Sequence, residues 1–379
     1  MINFCIALLG AKTMTDAFEE IVGKDHSPSI LSLLGRKKAG AIEDYCFIGS
    51  AFPPPEGLVK DFCKQSPYLF GHYPSENYSV RKKFSKAFGI PFNQIVAGNG
   101  STELITLLGR LFIKKVTIPV PTFSEYELTV RNNGKKINHY QLDKENEFGF
   151  DRENFVKSVK KSGSNSVLVI NPNNPTATLV EKEDLQFLLE ELSKLDLFLL
   201  DESFIDFAAK EPPTFVKVLK KYSNLAIVKS LGKVYCNPGL RLGFMASANE
   251  EIIEKIAGSI PEWSVNSFAE FFIDRLPDYQ DYFSRKRLEI IRNRKKFVEQ
   301  LSEVEDIRVF DSKASFVFAE ILKDFDSVYL EKELLKKGFY IRACRNKTGV
   351  SRKFFRVAIK EAKKNEKLVE AIRSVCKNR

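Results

Sequence analysis

The chain has few of the residues that hold metals or cross-link small folds. Its three histidines lie far apart, and none of its six cysteines (Cys5, Cys46, Cys63, Cys236, Cys344, Cys376) stands in a CxxC pair. That spacing argues against a metal cluster and calls for no disulfide framework, so a reducing, cytoplasmic compartment fits best. Long apolar runs are missing too. The opening, Met1 to Gly10, is apolar but short, with no basic segment ahead of it. It is expected to pack on the body of the protein rather than to act as a signal peptide or membrane span. The net charge of +10 suits nucleic acid, an anionic membrane or a phosphorylated metabolite. The basic residues, however, fall in short groups: Arg36-Lys37-Lys38, Arg81-Lys82-Lys83, and Arg292 to Lys296. There is no long basic arm and no RNA motif with interleaved aromatics, so these groups read as solvated faces, and neither nucleic acid nor membrane is expected as a partner. Internal repeats and low-complexity tracts are also absent.

What is present fits an ordinary globular protein. The 379 residues, 44% hydrophobic and 28% charged, are enough for a sizeable core and roughly two domains. Residues 1–65, with the proline run Pro53-Pro54-Pro55, read as an N-terminal arm and part of a small domain. From 66 to 275 strands and helices alternate as a large domain. Apolar strands are expected at Lys115 to Pro119, Ser166 to Ile170, Leu197 to Leu200, Leu225 to Val228 and Arg241 to Ala246. Continuous apolar strands between helices predict a mostly parallel sheet covered on both faces. From 276 to 379 a long charged helix and short strands predict a smaller α+β domain.

In such a sheet, ligands collect at the carboxyl ends of the strands. The polar punctuation of this chain falls there. Gly98-Asn99-Gly100-Ser101-Thr102-Glu103 turns into a helix, whose free N–H groups suit an anion. It is not the dinucleotide fingerprint, because Glu103 stands where GxGxxG needs glycine. Asn171-Pro172-Asn173-Asn174-Pro175-Thr176 and Asp201-Glu202 end two further strands. A third ends in Ser230-Leu231-Gly232-Lys233, followed by Pro238-Gly239-Leu240-Arg241-Leu242-Gly243. A lysine so placed can form a Schiff base with an aldehyde cofactor while Ser230 and Arg241 hold that cofactor's phosphate.

These motifs, in this order from about Tyr73 to the C-terminus, resemble the fold-type I pyridoxal-phosphate enzymes of the class I/II aminotransferase family. Within it the similarity is to the histidinol-phosphate aminotransferases, and in particular to the threonine-phosphate decarboxylase branch. Three segments point to that branch: Asp201-Glu202-Ser203-Phe204, where aminotransferases usually carry a tyrosine; Glu262-Trp263-Ser264-Val265-Asn266; and Tyr340-Ile341-Arg342 with Phe355-Arg356-Val357-Ala358-Ile359.

The resemblance implies pyridoxal 5'-phosphate as cofactor, with Lys233 as its covalent anchor and proton carrier and Asp201 on the ring nitrogen. Asn174 would bond the ring oxygen and contribute to substrate binding, and Phe123 would stack on the ring. Ser101, Thr102, Ser230 and Arg241 would hold the cofactor phosphate. Tyr73 would reach the partner's cofactor phosphate, which implies a homodimer with shared sites. Arg356 would bind the substrate carboxylate, and Arg342 its phosphate or the same carboxylate.

Two departures bear on the phosphate and turn geometry: Gly232 stands where a second hydroxyl is common, and Ala177 where glycine follows NPT. A third lies at the substrate end, where Ser50 and Phe52 replace both asparagines of an FSxNxNP pattern. The expected substrate is therefore an O-phospho amino acid, with L-serine O-phosphate, giving ethanolamine phosphate, ahead of L-threonine O-phosphate. The alternatives are an aminotransferase of the histidinol-phosphate type, which would require a keto acid, and a cofactor-binding regulatory protein. The regulatory reading predicts an added DNA-binding module or a lost lysine.

Overall fold

The computed structural model describes residues 29–31, 35 and 40–378. The apolar opening Met1 to Gly10, Cys5 and the group Arg36-Lys37-Lys38 lie outside them. After the two-residue strand β1 (Glu43–Asp44), the chain builds a seven-stranded sheet. Its strands are β2 (Ile95–Asn99), β3 (Lys115–Val120), β4 (Lys136–Gln141), β5 (Ser166–Ile170), β6 (Leu197–Asp201), β7 (Leu225–Ser230) and β8 (Leu242–Ser247). Their spatial order is β2-β8-β7-β6-β5-β3-β4. All neighbours are parallel except β8, which runs antiparallel to both β2 and β7.

Alternation along a strand explains why the central strands are apolar throughout. In β6, Phe198 and Leu200 face one core and Leu197 and Leu199 the other, so helices cover both sides. Each fully buried leucine or phenylalanine contributes about 1.5–3 kcal/mol relative to leaving it in water. The expected strands recur within one or two residues at their ends. β4, at the sheet edge, is half exposed and had no apolar run to announce it.

A second sheet has the order β12-β13-β10-β9 and is antiparallel: β9 (Ile307–Val309), β10 (Phe316–Ile321), β12 (Arg342–Ala343) and β13 (Phe354–Ala358). β1 joins this part of the molecule by pairing in parallel with β11 (Phe339–Tyr340). The 23-residue helix Gln280–Ser302 ties the two sheets together. Its Phe283 packs in the core of the large sheet, and its Ile290, Phe297 and Leu301 pack in that of the small one. Among the described residues no helix is long and apolar enough to cross a membrane, and Cys46, Cys63, Cys236, Cys344 and Cys376 are unbridged.

Candidate active site

The carboxyl ends of β2, β3, β5, β6 and β7 open on one cleft of about 860 Å³ between the two sheets. Ser101, Thr102, Phe123, Asn174, Asp201, Ser230, Lys233 and Arg241 line it from the large sheet, and Ser50 and Arg356 from the other side.

One end is shaped for an anion. Ser101 and Thr102 sit in the first turn of the helix Gly100–Leu111, whose N-cap residue makes no side-chain capping bond. Glu103 turns back instead, accepting from the Asn99 N–H at 2.8 Å and from the Ser264 hydroxyl at 2.7 Å. Backbone N–H groups of the first turn thus stay available, with the positive end of the helix dipole behind them. Gly100 takes a left-handed backbone, φ +74°, and a Cβ there would lie 2.5 Å from the Arg241 Nη2. The missing side chain lets the guanidinium lie on the turn. Arg241 itself holds φ +59°, a conformation that costs a non-glycine residue about 1–3 kcal/mol.

The centre is shaped for an amine that reacts as a free base. Lys233 sits in the short helix Leu231–Val234, with its Nζ 5.6 Å from the Phe47 ring centre and 5.8 Å from that of Phe204. Burial brings the amine down to about 8; Arg356 and Arg241 add to that, and Asp201 opposes it. Asp201 is buried at the end of β6, accepting from the Ser203 N–H at 2.8 Å and the Tyr126 hydroxyl at 2.7 Å. Burial pushes its carboxyl up, and those hydrogen bonds with the Lys233 charge pull it back.

The third part is a guanidinium with spare donors. Arg356 donates from Nη1 to the Asn174 Oδ1 at 2.6 Å and from Nη2 to the Cys46 carbonyl at 3.2 Å. Its Nε is buried and has no hydrogen-bond partner among the described residues. An orphaned N–H on a buried cation is a ready place for a carboxylate. Beside it, the Ser50 N–H donates to the Lys233 carbonyl at 2.6 Å, which fixes the segment 46–51 against the lysine turn.

Two expected residues do not line this cleft, one of them assigned to the partner's site. Tyr73 is 78% exposed and stacks on Trp263 at 4.7 Å, outside the cleft of its own chain. Arg342 pairs with Arg356 across β12 and β13 but does not line the cleft; its Nη2 bonds the Asn346 Oδ1 at 3.3 Å. Of the two residues that replace asparagines, Ser50 lines the cleft, whereas Phe52 is in the small-sheet core with Lys286 over its ring. Ala177 takes the left-handed backbone, φ +63°, that glycine adopts freely, and its N–H is bonded to the Asn173 carbonyl at 2.9 Å.

Sequence reading missed Tyr126, Phe47 and Lys360. Tyr126 is in the first turn of the helix Ser124–Asn132 and reads as core until the β6 end is placed against it. Phe47 stands in the segment of Ser50 and Phe52, and Lys360 directly follows Ile359, next to or within motifs already noted, but only the packing of the two sheets brings their side chains to the cleft.

The donor set fits pyridoxal 5'-phosphate: a deprotonable buried lysine, a buried carboxylate, a flanking aromatic at Phe123, and an arginine on an open helix turn. The known proteins agree. The family model for aminotransferase class I and II matches residues 64–372. An L-serine phosphate decarboxylase of Campylobacter jejuni is 29% identical over 93% of each chain. A histidinol-phosphate aminotransferase structure from Clostridium acetobutylicum superposes with TM-score 0.81 at 31% identity, covering 89% of this chain and 99% of that one. A decarboxylase structure from Sulfurospirillum multivorans does so with TM-score 0.79 at 25% identity, covering 88% and 95%. The chain belongs to the class I and II aminotransferase family and has the fold-type I architecture of the pyridoxal 5'-phosphate enzymes.

Proposed function

We propose that this protein is a pyridoxal 5'-phosphate-dependent decarboxylase of an O-phosphorylated amino acid, with L-serine O-phosphate preferred to L-threonine O-phosphate. The observation that carries the reading is the end-to-end similarity to an L-serine phosphate decarboxylase. Two features of the cleft support it. Phe204 places an apolar ring, with no hydroxyl, near the reacting lysine. Ser50 occupies the substrate wall where the phosphothreonine pattern has asparagine.

In this reading Ser101, Thr102, Ser230 and Arg241 hold the cofactor phosphate, Phe123 covers the ring and Asn174 bonds its oxygen. When bound, the cofactor supplies an electron sink for the pair left at the substrate Cα. Asp201, steadied by Tyr126 and Ser203, keeps a proton on the ring nitrogen. Arg356 takes the substrate carboxylate on its free Nε edge. Anchoring both ends of the substrate, with the carboxylate on Arg356, would select which bond at Cα breaks by spending binding energy on orientation. Carbon dioxide leaves with the Cα–carboxylate bond broken, and the Lys233 ammonium delivers the proton that Cα takes up.

A homodimer with shared sites belongs to the same reading. Tyr73, exposed in one copy, would reach the phosphate end of the other. Tyr68, Phe70 and Tyr73 form an exposed aromatic run that a second copy would cover.

The test is a panel of phospho amino acids, following carbon dioxide and amine product with and without a keto acid. Ethanolamine phosphate from phosphoserine, with no keto acid needed, is the expected result. Turnover that depends on a keto acid and releases no carbon dioxide would establish the aminotransferase instead. Phosphothreonine used at least as efficiently as phosphoserine would reverse the preference.

A further inference from the structure

We propose that Lys360 is a specificity-determining residue that receives the phosphoryl group of the substrate. The inference rests on the decarboxylase reading and adds to it a residue for the distal anion. A phosphoamino acid bound with its cofactor presents three anions: the cofactor phosphate, the substrate carboxylate and the substrate phosphate. Arg241 lies on the turn assigned to the first, and Arg356 carries the free donor assigned to the second. Among the described residues lining the cleft, Lys360 is the cation that neither assignment uses, Lys233 being the reacting amine. Arg342, which the resemblance assigned to this phosphate or to the carboxylate, does not line the cleft.

The chain just beyond β13, which ends at Ala358, carries Lys360 to the cleft. Arg356 and Ala358 alternate along β13, and these two and Lys360 all line the cleft. At about 3.3 Å per residue, the Cα atoms of Arg356 and Lys360 can stand at most roughly 13 Å apart. Two long side chains lining the same cleft can close that span over a small ligand with an anion at each end. The Lys360 backbone is pinned: its N–H donates to the Asn365 Oδ1, and its carbonyl accepts from the Asn365 and Asn293 side-chain amides. Its side chain is only 15% exposed and crosses the Tyr45 ring, with Nζ 4.7 Å from the centroid.

The ion pair at Lys360 is built so that it can be given up. Nζ is 2.9 Å from the Glu43 Oε2, and Lys364 is 3.2 Å from the Oε1 of the same carboxylate. When Lys360 turns to a phosphate, Glu43 keeps a partner. Asp44, the acid nearest in sequence, spends Oδ1 on the N–H groups of Cys46 and Phe47.

The test compares Lys360→Met, Lys360→Arg and Glu43→Gln holoenzymes with the wild type. Steady-state phosphoserine kinetics are measured alongside calorimetric binding of ethanolamine phosphate and of ethanolamine. Lys360→Met is expected to raise KM, and the Kd for ethanolamine phosphate, roughly 10- to 100-fold, the loss typical of one charge-assisted hydrogen bond. It should leave ethanolamine binding and the cofactor's visible absorbance within about twofold, while kcat for phosphoserine decarboxylation falls with the lost distal anchor. Lys360→Arg should recover most of the loss. Glu43→Gln breaks the same ion pair but keeps the cation, so KM should not rise. If Glu43→Gln matches Lys360→Met, the lysine is structural and the proposal is overturned. A wild type that prefers phosphorylated ligands, with Lys360→Met keeping that preference in full, also overturns the assignment, and leaves the decarboxylase reading intact. A wild type indifferent to the phosphoryl group overturns both.

Discussion

An amine buried among apolar rings and two guanidinium groups loses part of its hold on a proton, and Lys233 is in that position. Its value falls to about 8 from the ordinary 10.5. Capture of pyridoxal phosphate by the apo-protein needs the free base, so its initial rate should rise with pH through about 8 and then level off. Absorbance of the attached cofactor reads that rate directly. An inflection at the ordinary lysine value would contradict the burial argument, and Lys233→Ala should give no attached absorbance at any pH. The same shift has a sign for stability. Between about 8 and 10.5 the unfolded chain holds one more proton at this lysine than the folded chain, so its contribution to stability rises with pH across that window. Below about 8 the cost of burying the charged amine is paid in full. At this scale the chain announces residues that end apolar strands: Lys233, Asp201 and Asn174 interrupt hydrophobic runs and could be placed. Tyr126 could not, because a tyrosine on an amphipathic helix reads as core until its hydroxyl is seen on the Asp201 carboxylate. Arg342 and Arg356 look equivalent as two arginines on paired strands, and only packing separates the one that lines the cleft.

The phosphate end depends on how closely three strands and a helix turn approach. Gly243 of β8 stands opposite Gly98 on β2 and Ser230 on β7. A Cβ on it would lie 2.5 Å from the Ser101 N, 2.8 Å from the Gly100 carbonyl carbon and 3.0 Å from the Lys229 carbonyl oxygen. All three are backbone atoms, so the turn carrying Ser101 and Thr102 must move to admit a methyl group. Gly243→Ala should therefore cost about 1–3 kcal/mol of stability, as overpacking does. It should also weaken pyridoxal phosphate binding by roughly tenfold or more, for a loss of at least about 1.4 kcal/mol at the turn. Thermal unfolding and a cofactor titration measure the two effects. Gly239→Ala is the control: a Cβ there meets nothing within 4 Å, and both measurements should stay at wild-type values. A Gly243→Ala protein with unchanged cofactor affinity would show that the turn does not hold the phosphate. At this scale the glycines were visible in GNGSTE and GLRLGF, but their reason was not, since it lies in contacts between strands far apart in the chain. The half-exposed β4 was illegible for a different reason, its lack of an apolar run.

A molecule of this size hides most of its large apolar side chains, yet Phe70 is 79% exposed, Tyr73 78%, Tyr68 60% and Trp263 48%. Each packs on another ring: Tyr68 on His72, Phe70 edge-on to Phe268 at 4.9 Å, and Tyr73 on Trp263. Large aromatic rings left in water are costly, and in the homodimer proposed above a second copy would cover them with the same surface. The sequence placed Tyr73 by resemblance alone; the exposure of the rings around it is a physical reason that no motif carries. Phe70→Asp would put a charge into that contact, where it must be desolvated without a counter-ion. Sedimentation at micromolar concentration should find the wild type dimeric and Phe70→Asp shifted towards monomer, by tenfold or more in dissociation constant for a loss of about 1.4 kcal/mol. If Tyr73 completes the neighbour's phosphate site, cofactor affinity must follow the dimer. Phe70→Asp should then bind pyridoxal phosphate more weakly on dilution and recover at high protein concentration. A wild type that is monomeric at full cofactor affinity would separate the two, leaving each cleft complete in its own chain and Tyr73 a surface residue.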